Sequence, residues 1–233
     1  MEGKQLTLFG DIVESWDFVS ADTQYATHGL HPYPARMIPQ IARRLITRYL
    51  INTLPPPHNR YIILDPFCGS GTVLVEAKLL GINAVGVDIN PLAVFLAKTK
   101  SEGVDPRKLH NIMHEIMENI RKAISNADTI EIPEELIKER ITYWFKVNIA
   151  KKLLAIKEYI ESIEDESLKN FLRVILSLTA RKTSNIYREG DTFIKRKKEE
   201  ELKVFNPNVE RIFTNMLKEK MKNVKEFWGK KKS

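Results

Sequence analysis

The sequence predicts an α/β fold in which a small, incomplete parallel sheet is joined to a large helical portion. Two short apolar runs, residues 61–65 and 83–88, each end in an acidic residue, and a helical pattern follows each of them. That alternation of strand and helix is typical of a doubly wound parallel sheet. From residue 106 onward the chain shows mainly helical periodicity.

Length and composition limit the class of protein. The chain has 233 residues, of which 43% are hydrophobic and 29% are charged, so its composition favours a globular protein over a disordered one. No apolar stretch reaches the ~18 residues of a membrane span, and the first residues lack the pattern of a secretory signal. The single cysteine, Cys68, excludes an internal disulfide and a cysteine-cluster metal site. We therefore expect a soluble, cytoplasmic protein with no metal and no membrane partner.

The positive charge is concentrated at the C-terminal end. Residues 181–233 contain 16 Lys and Arg against 8 Asp and Glu, whereas the formal net charge of the whole chain is +7. Such a segment favours contact with a polyanion, because Lys and Arg release the counterions of phosphate groups. A solvated, lysine-rich helical tail is the alternative.

The elements are predicted in order along the chain. Apolar residues that recur every four positions predict a helix over 37–50, and a proline-rich connector follows over 52–60. Asn90 is placed as an N-cap, with Pro91 at the first helical position. The remaining elements are a strand over 61–65, a helix over 73–81, a strand over 83–88, helices over 106–127, 133–162 and 166–182, a loop over 183–205 with a short strand near 192–194, and a basic helix over 207–228.

Three parts follow from these elements. Residues 1–100 contain the first helix and the strand–helix–strand–helix unit, residues 101–182 are helical, and residues 183–233 form a basic loop and a C-terminal helix. No internal repeat divides the chain further.

The turn after the first strand concentrates polar chemistry. Asp65 stands at the carboxyl end of that strand, where open α/β sheets bind ligands. Gly69 and Gly71 allow a tight turn, and the next helix directs its N-terminal N–H groups toward a bound anion. Asp88 ends the second strand, seventeen residues beyond Gly71, where a carboxylate can accept hydrogen bonds from a ribose.

Three nucleotide ligands compete for this turn. A phosphate-binding Walker loop needs a lysine after its last glycine, but Thr72 follows here. A dinucleotide fingerprint needs a third glycine where Leu74 stands. S-adenosylmethionine fits better, because Asp65 can pair with its ammonium, the helix N-terminus near Gly71 and Thr72 can face its carboxylate, and Asp88 can bind its ribose.

The residues also carry a family resemblance. DPFCGSGT (65–72) and GVDINPLA (86–93) resemble motifs I and II of S-adenosylmethionine-dependent methyltransferases. HGLHPYPARMIP (28–39) resembles motif X of DNA amino-methyltransferases, which modify the exocyclic amino group of cytosine or adenine. The resemblance covers about residues 27–100 and implies a Rossmann-like methyltransferase fold with S-adenosyl-L-methionine as cofactor and DNA as partner.

The resemblance implies further cofactor contacts. Motif X helps to enclose the methionine end, the turn aromatic contacts the cofactor, and the residues after the ribose acid lie near the adenine. The full candidate set is Asp65, Phe67, Gly69, Gly71, Thr72, Asp88, Ile89, Asn90, His31, Tyr33, Pro34 and Arg36.

The catalytic tetrapeptide of that family, Asp/Asn/Ser-Pro-Pro-aromatic, does not occur in these 233 residues. Pro55, Pro56 and Pro57 precede the first strand and are followed by His58, at the wrong edge of the sheet. We therefore assign no catalytic residue and expect a cofactor-binding part or subunit of a methyltransferase. A second chain with the remaining strands, a homodimer partner or a missing C-terminal part would complete it.

Candidate nucleic-acid-binding residues lie in the basic segment, because cationic, hydroxyl and aromatic side chains alternate there. They are Arg181, Lys182, Ser184, Tyr187, Arg188, Lys195, Arg196, Lys197 and Lys198. Two other functions stay open from the sequence: an RNA guanine amino-methyltransferase, and a non-catalytic, cofactor-binding regulatory subunit.

Overall fold

The computed structural model describes residues 4–6, 12–189 and 193–231, with side chains for residues 15–186 and 197–231. The chain divides into two compact units: Met1–Gly103 with Lys225–Ser233, and Val104–Val224. The three-part organisation stays a prediction. Within the described ranges, no helix combines the length and the apolar character needed to cross a bilayer.

The first unit contains the strand–helix–strand–helix segment. Its elements are β1 (Lys4–Leu6), β2 (Ile12–Glu14), a 3-10 turn (Ala26–Gly29), α1 (Pro39–Ile46) continued by a π-helical turn (Thr47–Ile51), a 3-10 turn (His58–Arg60), β3 (Ile62–Asp65), α2 (Thr72–Leu79), β4 (Asn83–Gly86) and α3 (Pro91–Glu102).

A two-stranded parallel sheet forms the centre of this unit. β3 pairs with β4 in a register that places Ile62 opposite Asn83 and Asp65 opposite Gly86. The prediction of two parallel strands, each followed by a helix, is confirmed, and with it the coarse α/β class. The antiparallel pair of β1 and β2 was not predicted, because three residues per strand are too few to show a period.

Among the described residues, one face of the sheet is covered by side chains and the other is exposed. Ile63 of β3 and Ala84 of β4 pack against a cluster formed by Ile46, Ala77 and Ile82. The alternate residues point the other way, because side chains in a strand alternate between faces. These exposed residues are Ile62, Leu64, Val85 and Val87, whose exposed fractions lie between 50% and 67%.

A second cluster attaches the end of the chain to the first unit. Ala26, Val75, Leu79 and Phe227 are all buried against one another. In addition, a carboxylate oxygen of Glu226 accepts the backbone N–H of Ala26 at 2.8 Å. Phe227 is therefore part of the core that supports α2, and Glu226 bonds to the same unit.

The second unit is mainly helical. Its elements are α4 (Pro106–Ser125), a 3-10 turn (Ala127–Thr129), α5 (Glu134–Lys138), α6 (Ile141–Trp144), α7 (Val147–Glu161), α8 (Glu166–Thr183), β5 (Ile186–Glu189), β6 (Phe193–Arg196), α9 (Glu199–Val204) and α10 (Val209–Lys230), of which residues 225–230 belong to the first unit. α7 packs against both α4 and α8.

Two predictions for this region were wrong. The single helix expected over 133–162 is three helices, because Arg140 adopts a left-handed conformation and Phe145 is extended. The segment expected over 183–205 as a loop contains the antiparallel hairpin of β5 and β6, followed by α9; the short strand expected near 192–194 overlaps β6. The helix predicted over 207–228 is confirmed as α10.

Candidate cofactor site

Two carboxylates organise the turn between β3 and α2. A carboxylate oxygen of Asp88 accepts the N–H of Gly69 at 2.9 Å, and its other oxygen accepts the N–H of Asn90 at 2.8 Å. Asp65 accepts the N–H of Phe67 at 3.2 Å. Both acids are half-buried, and each carboxylate oxygen can accept more than one hydrogen bond. They can therefore hold the turn and still accept bonds from a ligand.

The glycines of the turn allow a close approach of helix α3. Gly71 has φ +86°, and a Cβ added there would lie 2.7 Å from the Cα of Ala97. Gly69 also has positive φ, at +50°. Only glycine satisfies both the conformation and the packing at Gly71.

Tyr33 lies beside this turn. Its hydroxyl oxygen accepts a hydrogen bond from the side-chain amide of Asn90 at 3.1 Å. Asn90 also caps α3, because its side-chain oxygen accepts the N–H of Leu92 at 3.0 Å. The N-cap prediction is confirmed, and the segment that contains Tyr33 is linked to the residues that follow Asp88.

Other candidate residues serve the interior of the unit. Arg36 donates to the carbonyl oxygens of His28 at 2.6 Å and Thr23 at 3.0 Å. His31 is buried, and its Nδ1 lies 2.7 Å from the carbonyl oxygen of Pro32. The Thr72 hydroxyl donates to the carbonyl oxygen of Met37 at 3.4 Å. By contrast, Phe67, Ile89 and Pro34 are exposed.

Lys100, which the sequence reasoning missed, lies behind the turn. Its side chain is 1% exposed, and its Nζ donates to the carbonyl oxygen of His31 at 3.0 Å and the hydroxyl of Ser70 at 3.3 Å. Burial, together with the positive charge of Arg36, lowers the pKa of Lys100 to about 7. One signal was present: Lys100 follows Leu96 by one helical turn on an otherwise apolar face.

A fully buried carboxylate, Glu76 of α2, was also missed. It accepts hydrogen bonds from the Tyr25 hydroxyl at 2.5 Å and from Arg43 at 2.6 Å, and it lies 2.7 Å from His28 Nε2. Burial acts to raise the pKa of Glu76, but hydrogen bonds from His28 and Tyr25 and the charge of Arg43 outweigh burial and lower it. This network fastens the segment before α1 to α2.

Comparison with known proteins shows which proteins the chain resembles. Residues 7–99 match a family model described as DNA methylase. The chain is 33% identical over 210 residues to the Type II methyltransferase M.MvaI of Kocuria varians, a match that covers 86% of this chain and 44% of the relative.

The chain is similar to DNA amino-methyltransferases.

Further comparisons define how far this similarity extends. The Type II methyltransferase M.MjaII of Methanocaldococcus jannaschii is 31% identical over 143 residues, 58% of this chain and 26% of the relative. A tRNA (guanine(10)-N2)-dimethyltransferase of Methanothermobacter thermautotrophicus is 41% identical over 58 residues, 25% of this chain and 16% of the relative. The chain thus spans less than half the length of these curated relatives, and no solved structure matches it significantly. Amino-methyltransferases of this family use S-adenosylmethionine as methyl donor.

The basic residues predicted to contact nucleic acid have different surroundings. Arg181, Lys182 and Lys198 are exposed. Ser184 is buried, and its hydroxyl donates to the Arg181 carbonyl oxygen at 2.9 Å. Lys197 donates to the carbonyl oxygens of Ser184 at 2.7 Å and Ile186 at 3.1 Å, so its ammonium is bonded within the fold. The side chains of Tyr187, Arg188, Lys195 and Arg196 lie outside the described part.

Proposed function

We propose that this chain supplies the cofactor-binding part of an enzyme that methylates the exocyclic amino group of cytosine or adenine in DNA. The observation that carries the proposal is the glycine turn at the ends of β3 and β4, which Asp65 and Asp88 flank and to whose backbone N–H groups both carboxylates bond. Two matches to Type II DNA methyltransferases, which cover 86% and 58% of this chain, support the same reaction class.

The residues around this turn fit S-adenosylmethionine. Asp88 has acceptor capacity for the two ribose hydroxyls, and Asp65 for the ammonium of the amino-acid end. α2 begins at Thr72, and no described side chain caps its first N–H groups, so this helix N-terminus can receive a carboxylate. The turn has no lysine for a nucleotide phosphate.

Each candidate residue has a proposed role. Tyr33 and Pro34 form a wall for the methionine end, with His31 and Arg36 behind it, and Phe67, Ile89 and Asn90 contact the adenosine part. The cofactor would supply an electrophilic methyl group on its sulfonium. The chain's own residues would orient that group and exclude water from it.

The bare face of the sheet supports a second proposal, that more polypeptide completes the enzyme. Ile62, Leu64, Val85 and Val87 form an apolar surface, and no other described strand pairs with β3 or β4. A two-stranded sheet with one bare face is marginally stable in water. We propose that polypeptide outside these 233 residues covers it, supplies further strands of a Rossmann-like sheet and carries the Pro-Pro-aromatic motif. A partner chain is one source, and a second copy of this chain is another.

The two alternative functions have less support. The match to a tRNA methyltransferase spans a quarter of the chain, whereas the match to M.MvaI spans 86% of it. A non-catalytic regulatory subunit predicts that no added polypeptide restores methyl transfer.

Methyl incorporation tests the proposal. The chain would be incubated with radiolabelled S-adenosylmethionine and either duplex DNA or tRNA, with and without a polypeptide that carries the Pro-Pro-aromatic motif. We expect label in DNA only when both polypeptides are present. Label in tRNA alone, or no label under any condition, would contradict the proposed function.

A further inference from the structure

We infer that Lys100 is the buried counter-charge for the carboxylate of the bound cofactor, and that cofactor binding is coupled to uptake of one proton by the Lys100 amine. The inference rests on the proposed function, because it assumes that an amino-acid-bearing nucleoside binds at the turn. It adds a residue that no sequence motif contains.

Lys100 links the glycine turn to the segment before α1. Its Nζ donates to Ser70, which lies between the two glycines of the turn, and to the backbone of His31 on the opposite segment. The side chain approaches from α3 and is almost completely buried. A charge at this position acts on the turn through protein rather than through water, so it is weakly screened.

The described residues leave this amine without an acid. Both hydrogen-bond acceptors of Lys100 are neutral, and none of the ion pairs formed by described residues includes it. A buried ammonium with no carboxylate is costly. A ligand carboxylate at the N-terminus of α2 would supply the missing negative charge.

The charged groups around Lys100 favour its neutral form before the ligand binds. Arg36, on the segment before α1, adds a positive charge nearby. His28, on the same segment, also interacts electrostatically with Lys100, but it is next to Glu76. The carboxylate of Glu76 is in turn bonded to Arg43. On α3 itself, the neighbouring charged residues, Lys98 and Glu102, are exposed.

Proton uptake follows from the low pKa of about 7. At pH 8 most of the amine is neutral in the free protein, and an adjacent carboxylate favours the ammonium. The proton comes from solvent, and no bond other than N–H forms. Affinity for the cofactor is then highest at pH values below the pKa that Lys100 has in the free protein. It falls as the pH rises from that value to the higher pKa that Lys100 has in the complex. The fall is about tenfold for each unit by which the ligand raises the pKa.

Calorimetry on the full chain tests this linkage. S-adenosylhomocysteine would be titrated at pH 8 in buffers of different ionisation enthalpy, into the wild type, Lys100→Met and the matched control Lys98→Met. 5′-Methylthioadenosine, which lacks the amino-acid end, would be titrated as a second probe. The amine of S-adenosylhomocysteine titrates in every experiment. The difference in proton uptake between the proteins therefore reports the contribution of Lys100.

We expect the wild type and Lys98→Met to take up close to one proton more than Lys100→Met. We also expect Lys100→Met to bind S-adenosylhomocysteine about 10- to 100-fold more weakly and 5′-methylthioadenosine within about twofold of the wild type. Equal proton uptake and equal affinity in all three proteins would overturn the inference. If Lys100→Met fails to fold, the proton uptake of the wild type at pH 8 still tests the inference. A wild type that takes up no proton on binding would overturn it. Failure of the wild type to bind either probe would instead contradict the proposed function.

Discussion

Asp88 has a structural role in addition to its proposed contact with the ribose. Its two carboxylate oxygens accept the backbone N–H groups of Gly69, in the turn after β3, and of Asn90, in the turn after β4. A strand-end acid could be predicted from the sequence, but its hold on Gly69 could not, because that bond joins residues nineteen positions apart.

Replacing Asp88 by alanine is expected to weaken S-adenosylhomocysteine binding about 10- to 100-fold. The variant loses a charged acceptor, which contributes about 1.5–3 kcal/mol. Isothermal titration calorimetry measures the change. Asp128→Ala, which removes an exposed carboxylate, is the matched control. Equal affinities for the two variants, with unchanged circular dichroism, would remove Asp88 from the site.

Cys68 is expected to be a slowly reacting thiol. Burial, and then the charges of Asp65 and Asp88, raise the pKa of the Cys68 thiol, so the reactive thiolate is scarce at neutral pH. The rate of labelling by a disulfide reagent should be low at pH 7, rise with pH and become fast in denaturant. Fast labelling of the folded protein at pH 7 would show that the turn is more open than the structure has it.

The packing of α2 against α3 depends on Gly71. A Cβ at this position would meet the backbone of Ala97 on α3, which cannot move aside as a flexible side chain could.

We expect Gly71→Ala to lower the free energy of unfolding by about 1–3 kcal/mol, through overpacking and the positive φ. Gly229→Ala is the control: nothing lies within 4 Å of its added Cβ, and alanine is favoured in the helix. Urea titration of both variants measures the difference. A Gly71→Ala variant as stable as Gly229→Ala would contradict the observed contact of the turn with α3.

The elements predicted correctly share strong local signals. The apolar runs of β3 and β4 and the Asn90–Pro91 cap depend on neighbouring residues, so the sequence alone places them. The break at Arg140 has no such signal, since no glycine or proline marks its left-handed conformation. Lys100 and Glu76 were missed for a related reason: their partners are distant in sequence, and burial of a charged residue is decided by tertiary packing.

At the scale of the molecule, the exposed apolar face bears on whether the chain can act alone. Val85 is half-exposed on this face. Val85→Lys should therefore leave the unfolding free energy within about 0.5 kcal/mol of the wild type, because surface substitutions have small effects.

The same variant should abolish methyl transfer restored by an added polypeptide, because a lysine would be buried where the two polypeptides meet. Lys98→Met serves as the surface control in the methylation assay. Full restoration with Val85→Lys would show that this face is not the site of assembly.

DNA binding by the basic segment is best tested with charge substitutions. Removing residues 181–233 would also remove Phe227 from the cluster beneath α2. Alanine at Arg181, Lys182 and Lys198 should weaken DNA binding. The slope of log affinity against log salt concentration should also become shallower by about 0.9 for each phosphate that the variant no longer neutralises. Fluorescence anisotropy at several salt concentrations measures this slope. An unchanged slope would show that these side chains face solvent and do not contact the phosphates of DNA.

Hydrogen–deuterium exchange with and without S-adenosylhomocysteine tests the central claim most directly, because it locates the ligand. We predict slower exchange for the amides of residues 67–73 and 88–92, and no change over residues 147–183. ATP and NAD at the same concentration should give no protection. Protection by the phosphorylated nucleotides instead, or protection confined to other parts of the chain, would contradict the claim that the two strand-end acids and the glycine turn bind a methyl-donor nucleoside.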